Sequence, residues 1–203
     1  MEFILPETRK QLTALYTESH RHYHNIEHIE ACLGMLNRYR SLLAKDEIFE
    51  SRFQEAGTMI WFHDAIYDVG PDVRHGENEL RSAEVWEASE EASRLLKSQS
   101  DVISDGIMRS AAHTTYDVPF YASQAMFLDI DLSSMGGTYS AFEKNGDQIR
   151  KEYEWVDDKT FNLNRAKFFE TLLARPFIYY THIMRGMLEE STRDNIKRWL
   201  RKQ

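Results

Sequence analysis

Thr58-Met59-Ile60-Trp61-Phe62-His63-Asp64-Ala65-Ile66-Tyr67-Asp68 is an apolar run with a histidine and an aspartate set side by side inside it. Runs of this composition are buried, and a carboxylate buried without a partner costs several kcal/mol, so Asp64 is paired, protonated or bound to a metal. Neighbouring residues on a helix diverge by about 100°, so His63 and Asp64 rarely bond each other, yet both reach a third body lying off the edge between them. A metal ion is the natural third body. For an isolated pair, the alternative is a buried histidine beside an N-capping or salt-bridged aspartate.

Working outward, the spacing of apolar residues predicts helices and little else. The run above closes a helix from about Asp46 through Tyr67, which Val69-Gly70-Pro71-Asp72 breaks. On its N-terminal side, residues 7–18 form one helix. Ile29, Cys32, Leu33, Leu36, Tyr39 and Leu43 then mark a second over Ile26 to Leu43, with Asn25 as its cap. On the C-terminal side, helices are expected over 77–96, 101–113, 124–135, 138–156, 160–174 and 177–200. The aromatic run 177–180 also suits a strand, but its helical continuation makes that the weaker reading. The expectation is an all-α, multi-helix single domain over residues 1–203.

Composition narrows the function classes. A formal net charge of -8 argues against general affinity for nucleic-acid backbones or anionic membranes, so any bound phosphate needs local cations. Cys32 is the only cysteine, which excludes an internal disulfide and a cysteine-based zinc site and reads as a small core residue. The first residues lack the pattern of a signal peptide, and no apolar run approaches the roughly 20 residues that span a bilayer. A cytoplasmic protein is expected.

Four of the eight histidines fall within residues 20–28. His24 and His28 are four apart and share a face if the helix extends back that far, whereas His20 and His22 lie in a loop. His28, the His63-Asp64 pair, His113 and the Asp129/Asp131 pair each sit at a helix end or in an apolar helix, in four separate segments. Mixed imidazole and carboxylate sets suit Mn, Fe, Co, Ni or Zn, while Mg prefers oxygen ligands. Asp129 and Asp131 point roughly 200° apart on a helix, so both cannot face one metal. The face through Leu128, Asp131, Leu132 and Met135 is apolar apart from Asp131, whereas Asp129 sides with Gln124 and Ser133, so burial is expected to select Asp131. Arg81, Arg150, Arg165 and Lys167 are cations within helices, and a guanidinium fork suits phosphate. Asn78 and Glu79 open the fourth helix and are equally substrate contacts or a capping pair. No Walker motif, dinucleotide fingerprint or nucleophile elbow is present.

Taken in order, Arg21-His22-Tyr23-His24-Asn25-Ile26-Glu27-His28, Trp61 to Asp68, Asn78-Glu79-Leu80-Arg81-Ser82-Ala83 and Phe127-Leu128-Asp129-Ile130-Asp131-Leu132 resemble the HD superfamily of metal-dependent phosphohydrolases, more specifically a bacterial branch of predicted HD phosphohydrolases. The resemblance covers most of the chain. It implies a compact HD-domain bundle and a single divalent-metal site in which His28 is the first ligand, His63 and Asp64 the paired ligands and Asp131 the last, with open positions for water and substrate. His113 is then a base facing the substrate or a ligand of a second metal. Many relatives carry a short charged motif directly after His-Asp. This chain has Ala65-Ile66-Tyr67-Asp68 there, which leaves Asp68 as the stand-in for the water-activating carboxylate. The activity implied is hydrolysis of a small phosphate ester or nucleotide, with Asp64, Asp68 and His113 catalytic and Arg81, Arg150 and Arg165 holding the substrate. A nucleotide-binding regulatory module without turnover and a diiron oxygenase on the same fold are the rival readings.

Overall fold

The computed structural model describes residues 2–43, 49–113, 119 and 121–203, and among them every regular element is helical. The elements are α1 (Pro6–Leu15), α2 (Ile26–Ser41), α3 (Glu50–Phe62), α4 (Glu77–Glu87), α5 (Glu90–Ser93), α6 (Lys97–Arg109), α7 (Ala122–Asp131), α8 (Tyr139–Glu152), α9 (Asp158–Ala174) and α10 (His182–Leu200), with 3₁₀ turns at Ser110–Ala112 and Leu132–Gly136. The fold is an all-α bundle. The expected start of the third helix at Asp46 and the loop after His113 lie outside the described residues.

Helix α3 is the axis. Every residue from Ala56 to Phe62 is buried, because a helix that is apolar around its whole circumference is stable only inside the protein. Helices α2, α6 and α7 pack against it, and Ile29, Leu36, Ile103, Ile107, Phe127 and Ile130 join Met59, Ile60 and Phe62 in a contiguous core. Each of these side chains contributes about 1.5–3 kcal/mol by leaving water. The opening run of the sequence thus becomes the element on which the others are assembled.

The helix ends earlier than its periodicity predicts. His63 keeps helical dihedrals as the C-cap, and its N–H still bonds Met59 O, but the chain then turns. Arg21, itself buried, donates to Asp64 O at 2.6 Å and to Ala65 O at 2.9 Å, and Ser82 Oγ accepts from Ile66 N. Carbonyls that a longer helix would bond internally are satisfied by a guanidinium, which also complements the negative end of the helix dipole. His63 and Asp64 therefore stand in a capped turn and not on the last turns of a helix ending at Tyr67.

Other boundaries move for similar local reasons. Asn25 caps α2 as expected, accepting from Glu27 N and His28 N, so His28 lies on the first turn and His24 remains in the preceding loop. The segment 77–96 is two helices, because Ser89 Oγ accepts from Ala92 N and restarts the chain as α5. Helix α10 begins at His182, five residues later than expected. Asp129 accepts from Tyr180 N and Thr181 N and holds that strip extended, and Thr181 then caps the helix.

Candidate metal centre and its cavity

Four elements deliver the site. The first turn of α2 supplies His28, the end of α3 supplies His63 and Asp64, the chain beyond α6 supplies His113, and the last residue of α7 is Asp131. His28, His63 and Asp64 are 6%, 2% and 7% exposed. Asp131 is the hub. Its Oδ1 lies 3.0 Å from His28 Nε2 and 3.4 Å from His63 Nε2, and its Oδ2 lies 2.8 Å from His113 Nε2.

The proton arithmetic of this cluster is informative. His63 Nδ1 is 3.0 Å from Ile60 O, which can only accept, so the proton is on Nδ1. The other nitrogen, Nε2, then presents a lone pair to Asp64 Oδ2 at 3.0 Å and to Asp131 Oδ1. Both His63 Nε2 and Asp64 Oδ2 are buried and have no hydrogen-bond partner. Lone pairs facing one another in a buried site require a proton or a cation between them. Without a metal the proton fills that role. Burial opposes a charge on His63, but Asp64 and Asp131 outweigh it and raise the imidazole pKa well above its ordinary value. Burial likewise opposes the Asp64 anion, yet His63 holds its pKa down at about 2. The ligating atoms of His28, His63 and Asp64 lie within 4.8 Å of one another, so these buried groups, joined through His28 to Asp131, can hold a metal ion.

Asp129 requires a correction. It is 1% exposed, and Gln124 and Ser133 on its face are buried as well, so that face is not the solvated one. Burial does not separate the two aspartates; their partners do. Asp129 accepts from Tyr180 N at 2.6 Å and from Thr181 N and Oγ, both at 2.7 Å, and so fastens the start of α10. Burial pushes its carboxyl up to about 7 against those bonds.

A cavity of about 430 Å³ opens on the cluster, lined by His63, Asp64, His113 and Asp131 on one side and by Ile149, Tyr153, Phe161, Arg165 and Phe168 on the other. Of the cations read as substrate-binding, Arg165 is the one on this wall. Arg150 is instead committed to the α8–α9 connection, donating to Asp158, Tyr153 O and Val156 O. Arg81 is paired with Asp68 on the surface, and Lys167 is exposed. Asp68, bracketed by Asn78 through its backbone, therefore does not face the cavity and cannot activate a water there. Glu79 does line it. The sequence left Glu79 open between a substrate contact and a capping residue, and the structure puts it on the first turn of α4, facing the cavity.

Two more residues gain importance. His24 lines the cavity, with Nδ1 at 2.7 Å from the buried Glu152 carboxylate and its ring stacked on Tyr67. Cys32, one helical turn after His28, places Sγ 3.8 Å from both ring nitrogens of His28 and within ligand reach of Asp131. Comparison with family models, with curated proteins and with solved structures gave no match.

Proposed function

We propose that the chain is a metal-dependent phosphohydrolase of the HD type, acting on a small phosphate ester or nucleotide. The observation that carries this reading is the pair of orphaned, buried acceptors, His63 Nε2 and Asp64 Oδ2, at the wall of a cavity that also contains a guanidinium. The HD resemblance of the sequence supports the same reading. His28, His63, Asp64 and Asp131 would hold the ion, a first-row divalent metal on the chemistry of its imidazole and carboxylate donors. When bound, such an ion polarises a phosphoryl oxygen and lowers the pKa of a coordinated water from 15.7 toward about 7.

The chain's own residues do the rest. The bond from His63 Nδ1 to Ile60 O fixes the tautomer that presents a ligating lone pair, the outer-shell device expected of metal-binding histidines. Arg21 fixes the turn carrying Asp64. His113, hydrogen-bonded to Asp131 and facing the cavity, is placed to move a proton at the substrate. His24 is the other imidazole on that wall, with its Nδ1 engaged by Glu152, which leaves Nε2 for the cavity.

The test is metal analysis of protein purified without chelator or metal-affinity tag, followed by a phosphate-release screen over nucleotides and sugar phosphates. One metal with phosphate release supports the proposal. Two irons with oxygen consumption would replace it with an oxygenase, and tight nucleotide binding without turnover with a regulatory module.

A further inference from the structure

Helix α4 turns one stripe toward the rest of the protein. Ser82, Ala83 and Trp86 along it are buried, and Glu79 stands three, four and seven residues before them, on the same face one turn nearer the helix start. At that end the stripe runs out over the cavity, and Glu79 is part of its lining. An acidic residue in a first turn ordinarily serves the helix itself, through its dipole or by capping. Here Glu77 bonds the chain that leads into the helix, accepting from Arg74 N at 3.1 Å. Among the described residues the Glu79 carboxylate accepts no hydrogen bond and forms no ion pair.

That carboxylate is held in a fixed relation to the turn carrying Asp64. Asn78 Oδ1 accepts from Asp68 N at 3.1 Å, and Asn78 Nδ2 donates to Asp68 O at 2.9 Å. One helical turn on, Ser82 Oγ accepts from Ile66 N at 3.0 Å and donates to Ile66 O at 3.3 Å. These two reciprocal clamps fasten α4 to the strip that leaves Asp64, with Glu79 between them in the chain. A reacting group needs such support, because a misplacement of about 1 Å costs about a hundredfold in rate. On the other side of the cavity, burial raises the pKa of the Tyr153 phenol against its hydrogen bond with Tyr67, and the charges of Glu152 and Glu79 add to the rise. Tyr153 lines the cavity too, so the Glu79 charge is felt across that space.

Of the three carboxylates on the cavity, two are turned to imidazoles. Asp64 Oδ2 lies 3.0 Å from His63 Nε2, and Asp131 stands between His28 and His113. His24 and His113 each have a ring nitrogen engaged by a carboxylate, that of Glu152 and that of Asp131. Glu79 keeps both oxygens for what enters the cavity. A carboxylate there repels a phosphate, so binding one is not its use. A water molecule donates to a carboxylate and can give up a proton to it. A group that helps the reacting state without strengthening the bound ground state raises turnover.

We infer that Glu79 is a catalytic residue of this cavity, the base that receives a proton from the attacking water. This rests on the phosphohydrolase reading of the same cavity, and the experiment separates the two. As the water oxygen bonds to phosphorus, one of its protons passes to a Glu79 oxygen. The ester P–O bond breaks with its electron pair on the departing oxygen, which takes a proton from solvent, and Glu79 returns its own to solvent. One ester and one water thus become an alcohol and inorganic phosphate, with no other reactant.

Wild type, Glu79→Gln, Glu79→Asp and Glu77→Gln, each loaded with a first-row divalent ion, are compared in three measurements: metal content, binding of inorganic phosphate by calorimetry, and turnover of p-nitrophenyl phosphate, glycerol phosphate and adenosine monophosphate. Glu79→Gln keeps the size of the side chain, so its metal content is expected to equal that of wild type. Its kcat is expected to fall by about a hundred- to a thousandfold, while phosphate binds about tenfold more tightly because a like charge is gone. Glu79→Asp keeps the charge and shifts it, so phosphate affinity stays near wild type and kcat falls to an intermediate value. Glu77→Gln removes the same charge from the same helical turn, but Glu77 is not part of the cavity lining, and both quantities are expected to stay near wild type. A fall in kcat of less than about threefold in Glu79→Gln, phosphate binding that is unchanged or weaker, or an equal effect in Glu77→Gln overturns the inference even if phosphate is released. Tighter phosphate binding in Glu79→Gln, with no probe turned over by wild type, keeps Glu79 beside the anion and overturns the hydrolase, and the base with it.

Discussion

Glu152→Gln removes one charge from a side chain that is fully buried at the end of α8. Oε1 of Glu152 accepts from His22 N, Tyr23 N and His24 N at 2.8, 2.7 and 2.9 Å, and Oε2 faces His24 Nδ1 at 2.7 Å. The carboxylate thus gathers the loop that leads into α2 and places His28. Hydrogen bonds to a charged group contribute about 1.5–3 kcal/mol and neutral ones about 0.5–1.5. Glutamine keeps the acceptor and loses the charge, so three weakened bonds amount to roughly 2–4 kcal/mol, a large share of a typical stability of about 5–15 kcal/mol. For a chain of this length that is a fall in Tm of about 5–12 °C. The pH dependence carries the sharper signature. Burial alone would raise the Glu152 pKa, but the hydrogen bond and charge of His24 and the loop N–H groups outweigh it and lower it. A depressed carboxylate stabilises the fold above its unfolded pKa, and the contribution is lost as pH falls through the lower folded value. The gap between wild type and Glu152→Gln, measured by urea unfolding followed by circular dichroism, should be widest near neutral pH and shrink below about pH 4. Equal stability near neutral pH, or a gap that persists unchanged into acid, would refute this account of the loop.

His63→Ala, Asp64→Ala and His28→Ala should each abolish bound metal in protein purified without chelator, whereas His20→Ala, His75→Ala and His182→Ala should leave metal content alone; a loss at His182 equal to that at His63 would mean the wrong set. Asp131→Asn should lower metal affinity by orders of magnitude in a titration. Asp129→Asn should retain metal and instead lose about 1–3 kcal/mol of stability, because an amide nitrogen replaces one of two oxygens that face only donors. Phosphate release should vanish with a strong chelator, return with a first-row divalent ion and rise with pH; activity surviving exhaustive dialysis against chelator would sink the metal mechanism. The same chelator should lower Tm, since an ion that binds only the folded cluster stabilises it by mass action.

The all-α class and the central helix were legible because they depend on pattern. A helix buried on all sides must be apolar on all sides, and the run from Ala56 to Phe62 shows this without any knowledge of its neighbours. Asn25 was equally readable, since a cap acts within three residues of itself. The boundaries that were missed are set at long range. Nothing near Asp64 announces that Arg21, more than forty residues away, will take its carbonyl, and nothing near Tyr180 announces Asp129. Both contacts end or delay a helix that local periodicity would continue.

The site shows the same division, with a different consequence. His63-Asp64 announced itself because two ionisable groups in an apolar run are expensive unless something pairs them. Amphipathic bookkeeping then selected Asp131 on the premise that its face is buried and that of Asp129 is wet, but both faces are buried in this bundle. What separates the aspartates is the sign of their surroundings. Asp129 meets only donors from the backbone and a hydroxyl, so its requirements are met by the fold itself. Asp131 meets three imidazoles, and its Oδ1 lies beside the His63 nitrogen whose lone pair also faces Asp64. A cation between them relieves all of these contacts at once, and it is this shared need, more than burial, that marks a carboxylate in a helical core as a ligand.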